Sequence, residues 1–351
     1  MGAIDKIDTN FTVTTNIRRA GLRFFDPKEA PFALHGVFYA NGQFRRMPED
    51  VARSTSQGVY ELHTFTSGGR VRLRTDSPFV AIHAKMPVVG QMPHCAMTGS
   101  SGFDLYVADQ YRATFTPPFG MRDGYESLVE LGERQMREIT IHFPLYSSVS
   151  ELYVGLAEDA RMEAPTPYRV EKPVVFYGSS ITQGGCASRP GTSYDALSCR
   201  RLGADYVNLG FSGNARGEET MAEYIKGLSM SAFVYDYDHN APTLDHLAAT
   251  HERMFRTVRE ANPDLPILIL QRPVYRQSEE EAKRLEVLKA TYEHARIAGD
   301  KNVYFLDGRT LMALAEGEGT VDGCHPTDLG FASMAHAVSR VLAAVLGDGR
   351  E

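Results

Sequence analysis

The hydrophobic pattern of this 351-residue chain changes after Pro173, and the change limits the second half to one class of fold. Five nearly continuous apolar runs follow, and stretches with helical periodicity separate them. Short continuous apolar runs are typical of strands that are buried in a parallel sheet. Strands that alternate with helices indicate a doubly wound α/β domain. The runs are Val174–Tyr177, Tyr206–Leu209, Ala232–Tyr235, Ile267–Leu270 and Val303–Leu306.

The first half of the chain has a different pattern, with ten short candidate strands. In Arg70–Arg74, valine and leucine alternate with arginine, as in a strand with one buried face. Turn signals such as Asn41-Gly42 separate the runs. This pattern predicts a sandwich or a jelly roll. The candidates are Phe11–Thr15, Leu22–Phe25, Leu34–Tyr39, Val59–Phe65, Arg70–Thr75, Phe79–Lys85, Phe103–Ala108, Arg112–Thr116, Glu138–Phe143 and Glu151–Leu156.

Residues 159–173 carry three prolines and many charges, and they show no periodicity. Such a stretch is typical of a linker between domains. We therefore predict a β-sandwich or jelly-roll domain at 1–158, a linker at 159–173 and an α/β domain at 174–351.

The composition excludes several classes of protein. With 37 basic and 44 acidic residues the net charge is −7, whereas nucleic-acid-binding proteins normally carry a basic surplus. No run of 18 apolar residues occurs, so we expect no membrane partner. The first twenty residues contain acids and no continuous apolar core, unlike a secretory signal. We therefore expect a cytoplasmic protein.

The four cysteines are too few for a disulfide framework in a chain of this length, and their spacing matches no zinc pattern. We expect reduced thiols. Spacing alone leaves a bridge between Cys186 and Cys199 open. The other two cysteines are Cys95 and Cys324.

The first apolar run of the α/β domain ends in the segment from Gly178 to Gly185, which contains Ser179 and Ser180. Small residues at a strand-to-helix turn let the backbone turn sharply and expose a hydroxyl. No Gly-Lys-Ser/Thr follows, so the segment is not a P-loop, and Thr182 excludes the G-x-S-x-G elbow. A plain helix cap remains an alternative.

The second and third runs end in segments that could supply hydrogen-bond donors. In Asn208–Asn214, a glycine lets a backbone N–H approach a substrate oxygen, although a simple glycine turn also fits. In Asp236–Asn240, the Asn240 side chain can supply an amide donor. His239 and the aspartates lack the spacing of a ligand set, so we predict no metal site.

The fourth segment, Asp322–Thr327, lies just before the last predicted helix. Asp322 and His325 are three residues apart, so the carboxylate can contact the imidazole. Such a contact fixes the tautomer of the ring and stabilises the imidazolium. A turn aspartate and an N-cap at Thr327 would explain the same residues without catalysis.

Taken together, the four segments resemble the SGNH (GDSL-type) hydrolase superfamily. That family has Gly-Asp-Ser after its first strand, Asn-x-Gly after the second, Gly-x-Asn-Asp after the third, and Asp-x-x-His before the last helix. The order and placement agree over residues 174–347. Two departures exist: Ser179 replaces the family's aspartate, and Asp238 and Ala241 flank Asn240 in place of glycine and aspartate.

The resemblance implies a flavodoxin-like domain with a parallel sheet of about five strands and helices on both faces. It also implies a serine esterase with Ser180 as nucleophile, His325 as general base and Asp322 orienting that base. The implied oxyanion hole consists of the N–H groups of Ser180 and Gly210 and the side chain of Asn240. No metal or organic cofactor is needed.

A second resemblance lies in the first half. Gly102–Tyr106 is similar to the Gly-x-Asp-Leu-Tyr motif of a β-sandwich module that precedes some SGNH hydrolases. Members of this kind are mostly assigned as esterases, and similarly built relatives deacetylate plant polysaccharides. The resemblance therefore implies the two-domain order predicted from the strand pattern.

The polar segments near the site favour a short acyl ester, acetyl foremost, of a polar alcohol such as a small or oligomeric carbohydrate. Arg272, Gln183 and Tyr275 are weaker candidates for substrate contacts. Because a histidine base must be neutral, we expect activity to rise through an apparent pKa of about 6 to 7.

Three alternatives remain open. The same triad could serve a lactonase, a thioesterase or a lipase. The chain could instead be a non-catalytic carbohydrate-binding protein, although all five catalytic positions are filled. The β domain could also mediate contacts in a homo-oligomer.

Overall fold

The computed structural model describes residues 13–347, which form two compact units. The first unit contains the residues up to Arg46 together with Thr64–Pro167. The second unit contains Met47–His63 and the chain from Tyr168 onward. These units differ from the predicted division at 1–158, 159–173 and 174–351 in two places: residues 47–63 and the predicted linker.

Residues 47–63 form two helices, α1 (Glu49–Thr55) and α2 (Gln57–Leu62), that belong to the second unit. The predicted strand Val59–Phe65 is therefore wrong. The Ser56 hydroxyl accepts a hydrogen bond from the N–H of Val59 at 3.2 Å, which caps α2. Val59 is fully buried in the hydrophobic core of the second unit. A cap and tertiary burial thus override the strand propensity of this segment.

The first unit is built from two larger antiparallel sheets and one two-stranded hairpin, which confirms the predicted all-β domain. One sheet has the order β1-β11-β6-β9, and the other β12-β5-β10-β7-β8, with β2 paired to β5. One hydrophobic core contains side chains of both sheets. The strands are β1 (Leu22–Phe25), β2 (Ala33–His35), β3 (Phe38–Ala40), β4 (Gln43–Arg45), β5 (Arg70–Thr75), β6 (Phe79–Lys85), β7 (Phe103–Val107), β8 (Gln110–Phe115), β9 (Gly124–Glu130), β10 (Arg137–His142), β11 (Glu151–Ala157) and β12 (Met162–Glu163), with one short helix, α3 (Met97–Ser100).

Several predicted strands have different bounds. The predicted strand Leu34–Tyr39 is divided between β2 and β3, because Gly36 adopts a positive φ of 69° between them. β3 and β4 form a hairpin whose turn residues, Asn41 and Gly42, both have positive φ, as a type I′ turn requires. β9 was not predicted. The first two residues of Phe11–Thr15 lie outside the described residues, and 13–15 form no strand.

Part of the predicted linker 159–173 forms β-strands. β12 pairs with β5, and the next strand, β13 (Val170–Gly178), begins inside the same stretch. Charged and proline residues are tolerated here because β12 is an edge strand and the first residues of β13 are exposed or half-buried.

The second unit contains a five-stranded parallel sheet in the order β14-β13-β15-β16-β17, which confirms the flavodoxin-like prediction. Its remaining strands are β14 (Ala204–Gly210), β15 (Ala232–Asp236), β16 (Ile267–Leu270) and β17 (Val303–Leu306). Its helices are α4 (Ser180–Gln183), α5 (Tyr194–Leu202), α6 (Glu219–Lys226), α7 (Leu244–Ala261), α8 (Glu279–Ile297), α9 (Gly308–Met312) and α10 (Asp328–Leu346), with 3₁₀ turns at Pro190–Thr192 and Asp238–Asn240.

Helices of the second unit pack in two groups around this sheet. One group joins α5, α9 and α10, and the other joins α1, α6, α7 and α8. By length and composition, α10 is apolar enough to cross a membrane, but eight of its residues are buried within the unit. Core helices of α/β domains commonly have such a composition.

The strand register brings the ends of three neighbouring strands to one level. Gly178 at the end of β13 pairs with Gly210 of β14 on one side and with Asp236 of β15 on the other. A Cβ atom at Gly178 would lie 2.0 Å from the carbonyl oxygen of Asp236, so only glycine fits this approach. The segments that follow these strands therefore start side by side at the edge where ligands bind in doubly wound folds.

None of the four cysteines, all of which lie in the described part of the chain, forms a disulfide bond, so the open possibility of a Cys186–Cys199 bridge is not realised.

Candidate active site

The turn from β13 into α4 places Ser180 at the carboxyl edge of the sheet. The Ser179 N–H donates to the carbonyl of Asp236 at 3.1 Å, and the Ser179 hydroxyl accepts from the N–H of Ile181 at 3.1 Å. Ser179 is thus a fully buried N-cap. Ser180, the first residue of α4, is 6% exposed. Its hydroxyl takes no part in the cap and contacts His325.

Three side chains form a continuous hydrogen-bonded chain at this edge. Ser180 Oγ lies 2.9 Å from His325 Nε2, and His325 Nδ1 lies 2.8 Å from Asp322 Oδ2. With Nδ1–H donating to the carboxylate, Nε2 is the nitrogen that can accept the serine proton. The structure therefore brings together the three residues that the sequence proposed as nucleophile, base and orienting acid, in the geometry of a serine-hydrolase triad.

A tight turn before α10 holds Asp322 and His325 in place. The N–H of Val321 donates to the carbonyl of His325 at 2.9 Å, and Gly323 adopts a positive φ of 82° between the two triad residues. Asp322 Oδ1 accepts the N–H groups of Cys324 and His325 at 2.9 and 2.7 Å. The carboxylate is thus fixed by the backbone of its own turn while its second oxygen holds the imidazole.

These contacts determine the charge of Asp322. Burial acts to raise the pKa of its carboxyl, but the hydrogen bonds from the backbone and ring of His325, and from the backbone of Cys324, outweigh that effect. The pKa of Asp322 falls to about 2. The side chain is therefore a carboxylate at any pH at which an esterase works, and it stabilises an imidazolium on His325.

The base itself has an unusual environment. The side chain of Cys324 hydrogen-bonds to the ring of His325 and raises its pKa, burial lowers it, and Asp322 raises it further. The resulting pKa is about 9, above the range of about 6 to 7 expected from the sequence. The motif Asp-x-x-His does not predict this raised pKa, because its main cause is Cys324, which occupies the second variable position of the motif.

Gly210 does not have the environment of an oxyanion donor. Its buried N–H donates to Oδ1 of Asn208 at 2.9 Å, and a Cβ atom there would lie 2.2 Å from the backbone nitrogen of Gln183. Asn208 also donates to the carbonyl of Thr182 at 2.6 Å and to Asp195 at 2.7 Å. Gly210 thus lets β14 approach α4, and its N–H is already used within the protein.

A second glycine of the same segment has the required exposure. Gly213 is exposed, adopts a positive φ of 69°, and has open space where a Cβ atom would be. Within residues 13–347, its N–H has no hydrogen-bond acceptor. Gly213 is therefore the candidate backbone donor of this segment. The sequence signal was the second glycine of Asn208–Asn214, which lies beyond the buried end of the strand.

Asn240 lies at the end of the 3₁₀ turn that follows β15. Its side-chain nitrogen donates to the carbonyl of Phe211 at 3.1 Å, which links the third segment to the second. An amide NH₂ group has two N–H donors, so one remains after this contact. The structure thus holds Asn240 beside the segment that contains Gly213, as an oxyanion role requires.

The polar cluster Asp236–Asn240 does not converge on a metal site. Asp236 accepts hydrogen bonds from Thr182 at 3.0 Å and Tyr194 at 3.3 Å. Burial, and then the charge of Asp238, raise the pKa of Asp236 to about 7. Asp238 accepts the N–H of Arg272, and His239 contacts Cys324. The hydrogen bonds that Asp236 and Asp238 accept thus stabilise the turns around the site.

The three weaker candidates for substrate contacts have different positions. Arg272 is mostly buried, pairs with Glu281 at 3.1 Å, and donates to the carbonyl of Gly323 at 3.1 Å, so it supports the triad turn. Gln183 is fully buried and accepts the N–H of Ser212 at 2.9 Å. These contacts argue against direct roles of Arg272 and Gln183 in substrate binding. Tyr275 is 46% exposed and stays a prediction.

Comparisons with known proteins agree with this geometry. Residues 171–343 match the GDSL-like lipase/acylhydrolase family, and residues 22–162 match the Gly-x-Asp-Leu-Tyr domain, the N-terminus of SGNH-hydrolase-type esterases. The chain belongs to the SGNH (GDSL-type) hydrolases. As an SGNH hydrolase with this triad, it is a serine enzyme that acts on ester bonds.

Solved structures share the fold of this SGNH hydrolase over nearly its whole length. A protein from Bacteroides ovatus assigned as a GDSL-like lipase is 27% identical, with 93% of this chain and 98% of that chain covered and a TM-score of 0.83. A salicylyl-acyltransferase from a tetracycline biosynthetic pathway is 22% identical, with 94% and 99% covered and a TM-score of 0.78.

A family two carbohydrate esterase from Clostridium thermocellum is 16% identical, with 90% and 99% covered and a TM-score of 0.61. At these identities the acyltransferase and the carbohydrate esterase show the fold alone. No curated protein sequence matches the chain.

We predict that Ser180→Ala lowers kcat by roughly 10³ or more, because triad members act as a unit. Ser179→Ala is the matched control, since it removes a cap worth about 1 kcal/mol but leaves the triad intact. Rates with p-nitrophenyl acetate and labelling by a fluorophosphonate, with peptide mapping, check both variants. Labelling of Ser179 with Ser180 untouched would reverse the assignment.

We predict that Asn240→Ala lowers kcat by about 10² to 10³ with little change in KM, because an oxyanion donor acts mainly in the transition state. Steady-state kinetics of this variant and of wild type measure kcat and KM separately and so check this prediction. If KM alone changes, Asn240 binds the substrate in its ground state and is not part of the oxyanion hole.

Proposed function

We propose that this enzyme hydrolyses short-chain esters, acetyl esters foremost, of a polar alcohol such as a carbohydrate. The observation that carries the proposal is the chain of hydrogen bonds from Ser180 through His325 to Asp322. It supplies an activated hydroxyl at the carboxyl edge of the sheet.

The mechanism is a two-step acyl transfer. His325 Nε2 takes the proton of Ser180 as Oγ attacks the ester carbonyl carbon. The Ser180 N–H, the Gly213 N–H and the Asn240 amide stabilise the negative oxygen of the tetrahedral intermediate. The imidazolium then gives its proton to the departing alcohol, and an acyl-serine remains. Water, deprotonated by His325, releases the acid by the reverse sequence of events.

The preference for a polar alcohol is supported by the loops that follow the strands. Beside the exposed Gly213, Arg216 is also exposed, and its guanidinium donates to the carbonyl of Gly213 at 3.2 Å. Asn214 is partly exposed in the same loop. Hydroxyl-rich substrates can hydrogen-bond to such groups, whereas a fatty acyl chain gains nothing from them.

Neighbours in the fold support the same substrate class by analogy only. Besides the Clostridium thermocellum enzyme, an acetyl xylan esterase from Butyrivibrio proteoclasticus shares the fold at 13% identity, with a TM-score of 0.60. Fold alone does not determine a substrate, so these neighbours guide the choice of test compounds.

One observation favours a lipase-like specificity as the second candidate. Val321 and Leu329, on either side of the Asp322–His325 turn, are 46% and 48% exposed. Apolar side chains at this position could contact a longer acyl chain, since each buried methylene contributes about 0.8 kcal/mol.

We predict that kcat/KM for p-nitrophenyl acetate exceeds that for the octanoate, and that the enzyme releases acetate from acetylated oligosaccharides. Ser180→Ala is the control for contaminating esterases. Glycerol added to the assay measures how far an alcohol replaces water as acyl acceptor, which detects acyltransferase behaviour. A clear preference for octanoate, or no acetate from any sugar ester, contradicts the proposal.

A further inference from the structure

Cys324 lies within the triad turn, directly before the catalytic base. Its Sγ atom is 3.1 Å from Nε2 of His239, which comes from the 3₁₀ turn after β15. Both side chains are partly buried. Cys324 also directly precedes His325 in the chain, and its thiol raises the pKa of that second ring.

The surroundings of this thiol favour its ionised form. Burial acts to raise the pKa of Cys324, but the hydrogen bonds to His239 and His325 and the charges of His239 and Arg272 lower it to about 6. Arg272 is held nearby by its hydrogen bond to the carbonyl of Gly323. A thiolate that is hydrogen-bonded to one imidazole, next to a second in the chain and near a guanidinium is a typical low-pKa arrangement.

Cys324 and His325 therefore titrate as a coupled pair. In one form the proton is on sulfur and the imidazole is neutral. In the other form the thiolate lies against an imidazolium. Only the neutral imidazole can accept the proton of Ser180, so the ionised form of the pair is inactive.

We propose that Cys324 and His239 form a thiol–imidazole pair that positions the catalytic base and controls its protonation, so that the pH at which the enzyme becomes active depends on Cys324. The proposal rests on the serine-hydrolase mechanism and adds two positioning residues to it. It does not depend on which ester is the natural substrate.

Other charged groups face this pair from neighbouring elements. Asp322 lies in the same turn, Arg272 follows β16, and Glu281 of α8 is paired with Arg272. Asp238 precedes His239, and burial, opposed by the charges of His239 and Arg284 and by the hydrogen bond from Arg272, raises its pKa to about 6. Asp238→Asn therefore serves as the control for a titration that does not involve the thiol.

The first test is the pH profile of kcat/KM for p-nitrophenyl acetate with wild type, Cys324→Ser and His239→Gln. Serine keeps the size and hydrogen bonding of cysteine but does not ionise. We expect the acid limb of the Cys324→Ser profile to lie about one pH unit below that of wild type, so that at low pH the variant is about tenfold more active than wild type. His239→Gln should shift the limb in the same direction by less. A merely structural role cannot raise activity.

If the acid limbs of wild type and Cys324→Ser coincide, the proposal is wrong. It is also wrong if Asp238→Asn produces the shift and Cys324→Ser does not.

The second test needs neither an ester nor a folded variant at Cys324. Iodoacetamide alkylation of wild type, followed over pH with mass spectrometry of the peptide that contains Cys324, reports the thiolate directly. We expect a midpoint well below the ordinary thiol value of about 8.5, and a higher midpoint in His239→Gln. An ordinary midpoint in wild type overturns the proposal. This readout stays valid even if the enzyme releases no acetate from sugars.

Discussion

The close approach of three strand ends at Gly178 is the constraint on which the rest of the site depends. Gly178 pairs with Gly210 on one side and Asp236 on the other, and the Asp236 carbonyl holds the turn into α4 through the N–H of Ser179. A side chain at Gly178 would separate these strands. The segments that follow the strands then start level with one another, so that residues distant in sequence meet. The side-chain nitrogen of Asn240 and the carbonyl oxygen of Phe211, 29 residues apart, meet at 3.1 Å for this reason.

The chemistry of the site follows from how its protons are held. The backbone of the turn keeps Asp322 ionised, and Asp322 in turn fixes the tautomer of His325. Serine hydrolases of any fold need these two conditions. The third condition, a base that is neutral at the working pH, is set in this chain by Cys324 as well as by Asp322. The orientation of the base and the control of its proton are thus separate properties, which Asp322 and Cys324 of one short turn determine.

Much of the fold could be predicted because its signals are local. Five short apolar runs between helical stretches predicted the parallel sheet, and motif order placed Ser180, Asp322 and His325 at its edge. The hydrogen-bond and ion-pair partners of the site residues could not be predicted. The motif assigned the backbone donor to Gly210, and only the structure shows that Asn208 already accepts the Gly210 N–H. Arg272 likewise fits a substrate contact or a structural ion pair, and only the structure shows its ion pair with Glu281. Helix α2 was not predicted, because its burial depends on residues of the second unit that are distant in sequence.

We expect ester cleavage by this enzyme to proceed through an acyl group on Ser180. Rapid acid quenching of the enzyme with p-nitrophenyl acetate, followed by mass spectrometry of its peptides, tests this step. We expect one acetyl group per chain, on the peptide that contains Ser180, formed together with a burst of p-nitrophenolate and absent from Ser180→Ala. An acetyl group on another residue, such as Cys324, in an enzyme that still turns over would contradict it.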